Sequence, residues 1–296
     1  MSLQKYNILF VINPISGGKK KDRIPALISK YLDKTKFNAT YIFTEKEGHA
    51  TEIAAEAECK NIAIVVAVGG DGTINEIASS LVNTKVSLGI IPFGSGNGLA
   101  RFLGIPMTTK GAVKYLNLLN IQAIDSAQLN ERHFFNMAGM GFDAHISAVF
   151  AGNKSRGLKS YVKLGLKEIT SYKAQRYKLE IDGIFYERDA FAISIANSSQ
   201  YGNNVYISPK SSLTDGWLDV CIIKPIPLFK LPVLAYEMIA AKTHNSSLVE
   251  IIRGKEIKII RNKPDSVHLD GEPFQMEKHI NIKIEPASLN IIVGKL

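Results

Sequence analysis

At 296 residues the chain is long enough for two domains with separate cores, and 46% hydrophobic against 21% charged residues describe a globular protein, not a disordered one. The 36 basic and 27 acidic residues give a formal charge of +9, but no nucleic-acid motif accompanies it, and Lys19-Lys20-Lys21 is too short for a nucleic-acid arm. No apolar run approaches the roughly 18 residues of a membrane span, no secretory signal opens the chain, and Cys59 and Cys221 lie far apart without metal-ligand spacing, so a reducing, cytoplasmic setting is expected.

The first apolar run, Tyr6–Ile12, reads as a strand that breaks into the loop Asn13-Pro14-Ile15-Ser16-Gly17-Gly18. An amphipathic stretch over Ile24–Leu32 follows, then a second strand over Ala39–Phe43 that ends at Thr44, then a helix from Gly48 through Ala57. Ile62–Val68 is a continuous run rich in Ile and Val, the pattern of a strand buried on both faces of a parallel sheet. It ends in Gly69-Gly70-Asp71-Gly72, and Thr73 opens a helical pattern with Ile74, Ile77, Ala78 and Leu81 on one side. Strand, glycine turn and helix together offer backbone N–H groups to a phosphate, and a glycine backbone can approach a ligand with no Cβ in the way. Asp71 is the unusual member. A carboxylate repels a phosphate unless a divalent metal bridges them, or unless it faces a hydroxyl that attacks the phosphate, and either role suits a kinase. The plainer alternative is a tight turn with Asp71 as a local cap.

A fourth strand, Ser87–Ile91, ends in Pro92-Phe93-Gly94-Ser95-Gly96-Asn97-Gly98, and helices are expected at Leu99–Leu103 and Gly111–Leu119. Alternation of β and α over Tyr6–Leu119 predicts a three-layer α/β domain with a mostly parallel sheet, whose loops at the C-terminal strand ends converge on one ligand. After Asn120 the texture changes. Ile121–Leu129 and His133–Met137 read as strands paired about Asn130-Glu131, and Leu179–Ile181 and Ile184–Tyr186 flank the hairpin signal Asp182-Gly183. Further strands are expected at Ala190–Ala196, Leu218–Ile223, Ile257–Ile260, Ile280–Ile284 and Leu289–Val293, with helical interruptions at Leu158–Thr170 and Leu231–Ala241. Strand after strand predicts an all-β, antiparallel sandwich as the second domain. The boundary is set at 122/123, with residues 287–296 returning to the first domain. Gly139-Met140-Gly141-Phe142-Asp143-Ala144 mimics a dinucleotide fingerprint but lacks a βαβ unit around it, so a tight turn is expected there. No P-loop is present, because Gly17-Gly18-Lys19 lacks the upstream glycine and the following Ser/Thr.

GGDGT after a buried strand resembles the diacylglycerol kinase catalytic domain family, which includes sphingosine kinases and bacterial lipid kinases; NAD kinases and phosphofructokinases carry a similar GGDG. Four more segments choose among them. Asn13-Pro14-Ile15-Ser16-Gly17 resembles the family's NPxSG loop. Pro92–Arg101 resembles PxGTxNDxAR, with Ser95 in place of Thr and Gly98 in place of Asp, departures that look more like a sphingosine kinase and leave the acceptor open. Ser212–Val220 resembles the DGxLDV segment, which implies a magnesium held by Asp215 and the backbone carbonyls of Ser212 and Trp217. Leu269-Asp270-Gly271-Glu272-Pro273 resembles the DGE segment, with Glu272 implied as general base for a lipid hydroxyl. His268 beside it is read as packed or solvated.

The resemblance implies an ATP- and magnesium-dependent lipid kinase acting on diacylglycerol or a related lipid, with its active site in a cleft between the domains. Asn13, Pro14, Ser16, Gly17, Thr44, Gly69, Gly70, Asp71, Gly72, Thr73, Asn75 and Ser95 are the expected ATP contacts. Glu272 and Asp71 are the expected catalytic carboxylates. A sphingoid-base kinase and a soluble-acceptor kinase such as an NAD kinase are the alternatives. The expected partners are a lipid substrate and a membrane surface met from the cytoplasm, with a homodimer left open and no nucleic acid. Basic residues over Lys154–Lys159 could hold phosphate or membrane, against a solvated face as the plainer reading. Pro225–Ala241 carries more apolar groups than one narrow helix stripe needs, with Lys224, Lys230 and Lys242 flanking or interrupting them, so it is read either as a membrane-docking segment or as a helix packed on the β-domain.

Overall fold

The computed structural model describes residues 5–18, 21–94, 96–151, 164–165 and 167–294. They fall into two compact units, one running to Ile124 and resuming at Ala287, the other covering Asp125–Pro286.

The first unit follows the βα alternation. Strands β1 (Tyr6–Ile12), β2 (Phe37–Phe43), β3 (Ile64–Gly69) and β4 (Ser87–Pro92) pair in parallel in the order β2-β1-β3-β4. Every residue of β3 and β4 is buried, which is why both read as unbroken apolar runs. Helices α1 (Ile24–Tyr31), α2 (His49–Ala55), α3 (Asp71–Leu81), α4 (Gly98–Phe102) and α5 (Thr109–Leu116) alternate with the strands or follow them. α3 starts at Asp71, two residues earlier than its apolar periodicity indicates. Gly70 is its extended N-cap, and an acidic side chain in the first turn suits the positive end of the helix dipole.

The second unit is an antiparallel sandwich with helices added, so the mixed α/β-then-β-rich organisation expected from the sequence is present. Its strands are β5 (Ile121–Leu129, which begins in the first unit), β6 (Arg132–Phe134), β7 (Met137–Gly141), β8 (Gln175–Ile181), β9 (Ile184–Ala190), β10 (Ala192–Ala196), β11 (Gln200–Gly202), β12 (Val205–Tyr206), β13 (Leu218–Ile223), β14 (Val249–Gly254), β15 (Glu256–Arg261), β16 (Asp265–Leu269), β17 (Glu272–Met276) and β18 (His279–Ile292, whose end returns to the first unit). One sheet runs β14-β13-β10-β7-β16-β17. Facing it are β9, β8, β15, the first part of β18 and the β5–β6 hairpin. Alternate residues of both sheets, among them Phe134, Met140, Leu179, Ile193, Val220, Ile259 and Ile282, form one buried core. Ala192, Cys221 and Ile223 point to the other side of their sheet and pack with Leu234 and Leu248, so β10 and β13 are apolar on both faces.

Three local expectations are corrected. Gly139–Ala144 is a strand running into a helix, α6 (Phe142–Ala151), and not a tight turn. His133–Met137 divides into β6 and β7, because the N–H groups of Phe135, Asn136 and Met137 donate to the Asp270 carboxylate. β18 is one strand where two were expected. Pro286 and the left-handed Ala287 (φ 49°) sit where it leaves one unit for the other. Leu231–Ala241 is helical over Leu231–Ile239, here α7. Of Leu158–Thr170 only positions 164–165 and 167–170 are described, helical at 164–165 and 167–168; Lys154–Lys159 lies outside the described residues. Among the described residues no helix is long and apolar enough to cross a membrane.

Candidate functional site

In the first unit three glycine-rich loops meet at the C-terminal ends of β1, β3 and β4. Asn13 leaves β1 with its backbone N–H on the Val68 carbonyl (3.1 Å) and its side-chain amide donating to Thr73 Oγ1 (3.0 Å). Its Oδ1 accepts the Ile15 N–H (3.1 Å) and its carbonyl accepts the Ser16 hydroxyl (3.2 Å), so the loop is bent by its own first residue. Gly17 lies against the Phe93 carbonyl oxygen, which a Cβ would strike. Gly70 and Gly94 face each other, and a Cβ on Gly94 would come within 2.9 Å of the Gly70 Cα. These glycines are required first by loop-on-loop packing.

Asp71 joins two of the loops. Its Oδ2 accepts the Asn97 N–H at 2.9 Å and its Oδ1 accepts the Gly98 N–H at 3.1 Å, so its carboxylate caps α4 and not its own turn. Asn97 is held left-handed (φ 50°), with Oδ1 accepting the Gly94 N–H (3.0 Å) and Nδ2 donating to the Gly94 carbonyl (2.6 Å). The N-cap of α3 is Gly70, which has no side chain to cap it, and the start of α3 is the kind of helix N-terminus that receives phosphate.

Lys21 is a member of this cluster that sequence reasoning missed. It is almost fully buried, donates to the Ser16 carbonyl, and places Nζ 5.0 Å from the centre of the Phe93 ring. Burial holds its pKa below the usual lysine value. The signal was a lysine just past the NPxSGG loop, hidden in a run read only for its length. Thr44 sits beside this end of the sheet, its N–H on the Ile12 carbonyl (2.9 Å), whereas Asn75 lies a turn into α3, accepting from Ser79 Oγ at 3.4 Å. Pro14 is exposed and Gly72 half-buried; Ser95 lies outside the described residues.

In the second unit β16 and β17 are joined by the two-residue turn Asp270-Gly271, with φ of 50° and 92°. The Asp270 carboxylate accepts three backbone N–H groups, from Phe135 (3.0 Å), Asn136 (2.8 Å) and Met137 (3.0 Å), and its own N–H donates to the Met137 carbonyl (2.9 Å). Glu272 follows directly, exposed and opposite Leu269, on a turn that cannot shift without breaking those bonds. His268, two positions before the turn, is buried. Its Nε2 is 2.8 Å from Asp143 Oδ2 and its Nδ1 faces the Gly271 N–H at 3.4 Å. Ser194 Oγ donates to the same Asp143 oxygen (3.4 Å) and is hydrogen-bonded to the Tyr201 hydroxyl. Burial alone would lower the His268 pKa, but the charge and hydrogen bond of Asp143, with a smaller effect of Asp270, outweigh it and leave it above the usual histidine value. Burial pushes the Tyr201 phenol up.

The segment expected to hold magnesium is a turn tied to buried Asp125, whose Oδ2 accepts the Gly216 N–H (2.7 Å) and whose N–H donates to the Leu213 carbonyl (2.6 Å). Asp215 Oδ1 accepts the Trp217 N–H (3.1 Å), and Oδ2 pairs with the Arg253 guanidinium. Arg253 Nε also reaches Asp219 Oδ1 (3.2 Å), with its guanidinium 5.3 Å from the Trp217 ring. The Ser212 hydroxyl pairs with that of Thr214 at 3.2 Å. A magnesium at Ser212, Asp215 and Trp217 would have to displace Arg253. As arranged, the Arg253 guanidinium holds the Asp215 carboxylate, and among the described residues no group of three or more His, Cys, Asp or Glu gathers that could hold a metal ion.

A model of the diacylglycerol kinase catalytic domain matches residues 7–129, and one of the YegS C-terminal NAD kinase beta sandwich-like domain matches residues 136–293. The protein named "Probable lipid kinase YegS-like" from Pseudomonas putida is 30% identical over 84% of this chain and 83% of its own. The diacylglycerol kinase of Bacillus subtilis is 26% identical over 88% of each chain. A crystal structure of a diacylglycerol kinase from Bacillus anthracis shares the fold, with a TM-score of 0.74 over 99% of this chain and 98% of that one at 20% identity.

Proposed function

Because the chain belongs to the diacylglycerol kinase catalytic domain family of lipid kinases, we propose that it transfers the γ-phosphate of ATP to the hydroxyl of diacylglycerol or a related lipid. The observation that carries this reading is the convergence of the NPxSG, GGDG and PFGSGN loops on the start of α3, tied by Asn13, Asp71 and Lys21. A polyphosphate there would meet backbone N–H groups and a nearby lysine. ATP enters as its magnesium complex, the metal being part of the substrate.

Glu272 accepts the proton of the lipid hydroxyl. The hydroxyl oxygen attacks the γ-phosphorus, the bond to the bridging β–γ oxygen breaks, and a lipid phosphate and ADP leave. Asp270 and the His268–Asp143 pair hold the turn that presents Glu272. Asp71, engaged by two backbone N–H groups, shapes the nucleotide loops and leaves the base role to Glu272.

Ser95 and Gly98, which differ from the bacterial diacylglycerol kinase pattern, keep a sphingoid base as a second acceptor. The test is an acceptor screen in mixed micelles with ATP, offering diacylglycerol, a sphingoid base and NAD, with products identified by mass spectrometry. Phosphate on diacylglycerol or the sphingoid base supports the reading and chooses the acceptor. Phosphate on NAD alone, or no transfer, removes it.

A further inference from the structure

Helix α7 and the turn before it are built the wrong way round for a core helix. Leu234 is its buried anchor, at 7% exposure, while Phe229 (77%), Ile239 (66%), Tyr236 (59%), Leu228 (55%) and Val233 (49%) stand in solvent. At about 100° per residue, Tyr236 and Ile239 fall on the side opposite Leu234 and Val233 on its flank. Leu228 and Phe229, in the preceding turn Leu228–Lys230, add to the exposed apolar surface. The charges are arranged around this face. Lys224, Lys230 and Lys242 are exposed before, within and after the segment. Glu237 is the one acid between Pro225 and Ala241, and its Oε2 is buried.

We propose that the Leu228–Ile239 surface docks on an anionic lipid bilayer. Exposed aliphatic and aromatic side chains enter the acyl boundary, and neighbouring lysines meet lipid phosphates. A partner surface that is both apolar and anionic answers both features. The purpose of the docking rests on the lipid-kinase reading; the surface itself is read from its own chemistry.

The test is co-sedimentation with phosphatidylcholine vesicles with and without phosphatidylserine, in the absence of ATP and of any acceptor, for wild type, Phe229→Glu and Val233→Asp. Phe185→Glu, on the 79% exposed tip of the β8–β9 hairpin, is the control for loss of any apolar side chain. Wild type is expected to bind the phosphatidylserine vesicles and to weaken as salt rises. The two α7-region variants should bind about tenfold less or worse at unchanged melting temperature, with Phe185→Glu like wild type. A short-chain soluble acceptor should be phosphorylated equally by all four proteins. No vesicle binding by wild type, equal binding by the α7-region variants, or equal loss in Phe185→Glu overturns the assignment. A dimer in sedimentation velocity that Phe229→Glu dissolves would give the surface to a second copy and overturn it too. If no acceptor is phosphorylated but vesicle binding follows the expected pattern, the enzymatic reading fails and the docking surface stands.

Discussion

Replacing Asp71 by Asn separates the two roles open to that carboxylate. The native side chain accepts one N–H on each oxygen, from Asn97 at 2.9 Å and Gly98 at 3.1 Å. Asparagine offers one oxygen and one NH2 in the same volume, so one of the two backbone N–H groups meets a donor. A hydrogen bond to a charged group contributes about 1.5–3 kcal/mol, and the stranded N–H adds the penalty of an unmet donor. The position is half-buried, so the expected loss is about 2–3 kcal/mol in the first unit. At ~2–4 °C per kcal/mol for domains of this size, its melting transition should fall by roughly 5–10 °C. Gly94→Ala should act in the same direction, since its Cβ would come within 2.9 Å of the Gly70 Cα across the same pair of loops. The assay is a circular-dichroism melt together with calorimetric titration of a non-hydrolysable ATP analogue, which should bind more weakly to both variants. If Asp71→Asn melts like wild type, binds the analogue normally and loses only turnover, the carboxylate is a reacting group and the structural tie argued from its two N–H partners is refuted.

Glu272→Gln should keep nucleotide binding and lower turnover by roughly 100-fold or more, the usual scale for a lost general base; unchanged turnover would move the base elsewhere. Asp215→Ala removes a partly exposed ion pair with Arg253, which keeps its contact with Asp219, so stability should fall by no more than about 1 kcal/mol and the magnesium dependence of activity should not move. A requirement for more magnesium in that variant would restore a metal at Asp215. The folded pKa of His268 lies above its ordinary value of 6.5, so the stability it contributes is complete below that value and is lost as pH rises through the folded pKa. Melting temperature should therefore decline on the alkaline side in wild type and decline less in His268→Gln; identical profiles would show that the pair with Asp143 does not titrate.

Local pattern decided much of the first unit. β3 and β4 are buried on both faces, so their burial is written as continuous apolar runs that need no knowledge of their neighbours. The turn at Asp182-Gly183 was legible for a similar reason, because two consecutive positive φ angles demand residues of that type. The NPxSG, GGDG, DGxLDV and DGE segments were legible as motifs, since each is contiguous. What those segments touch was not. The GGDG turn gives no sign that the Asp71 carboxylate accepts N–H groups 26 and 27 residues on. Lys21 was read only as part of a short basic run, because its burial depends on where the Phe93 ring falls. Asp270 breaks the expected strand at Phe135-Asn136 from more than 130 residues away, and His268 is a network member only because β16 lies beside β7 and faces α6. The apolar excess of Pro225–Ala241 was visible in the sequence, but helical spacing cannot say which side of a helix faces its own domain. That was decided by Leu234, the side chain the second core took in. Periodicity records how a segment alternates between surroundings, whereas a hydrogen-bond partner or a buried face depends on the position of distant backbone, which exists only once the chain has folded.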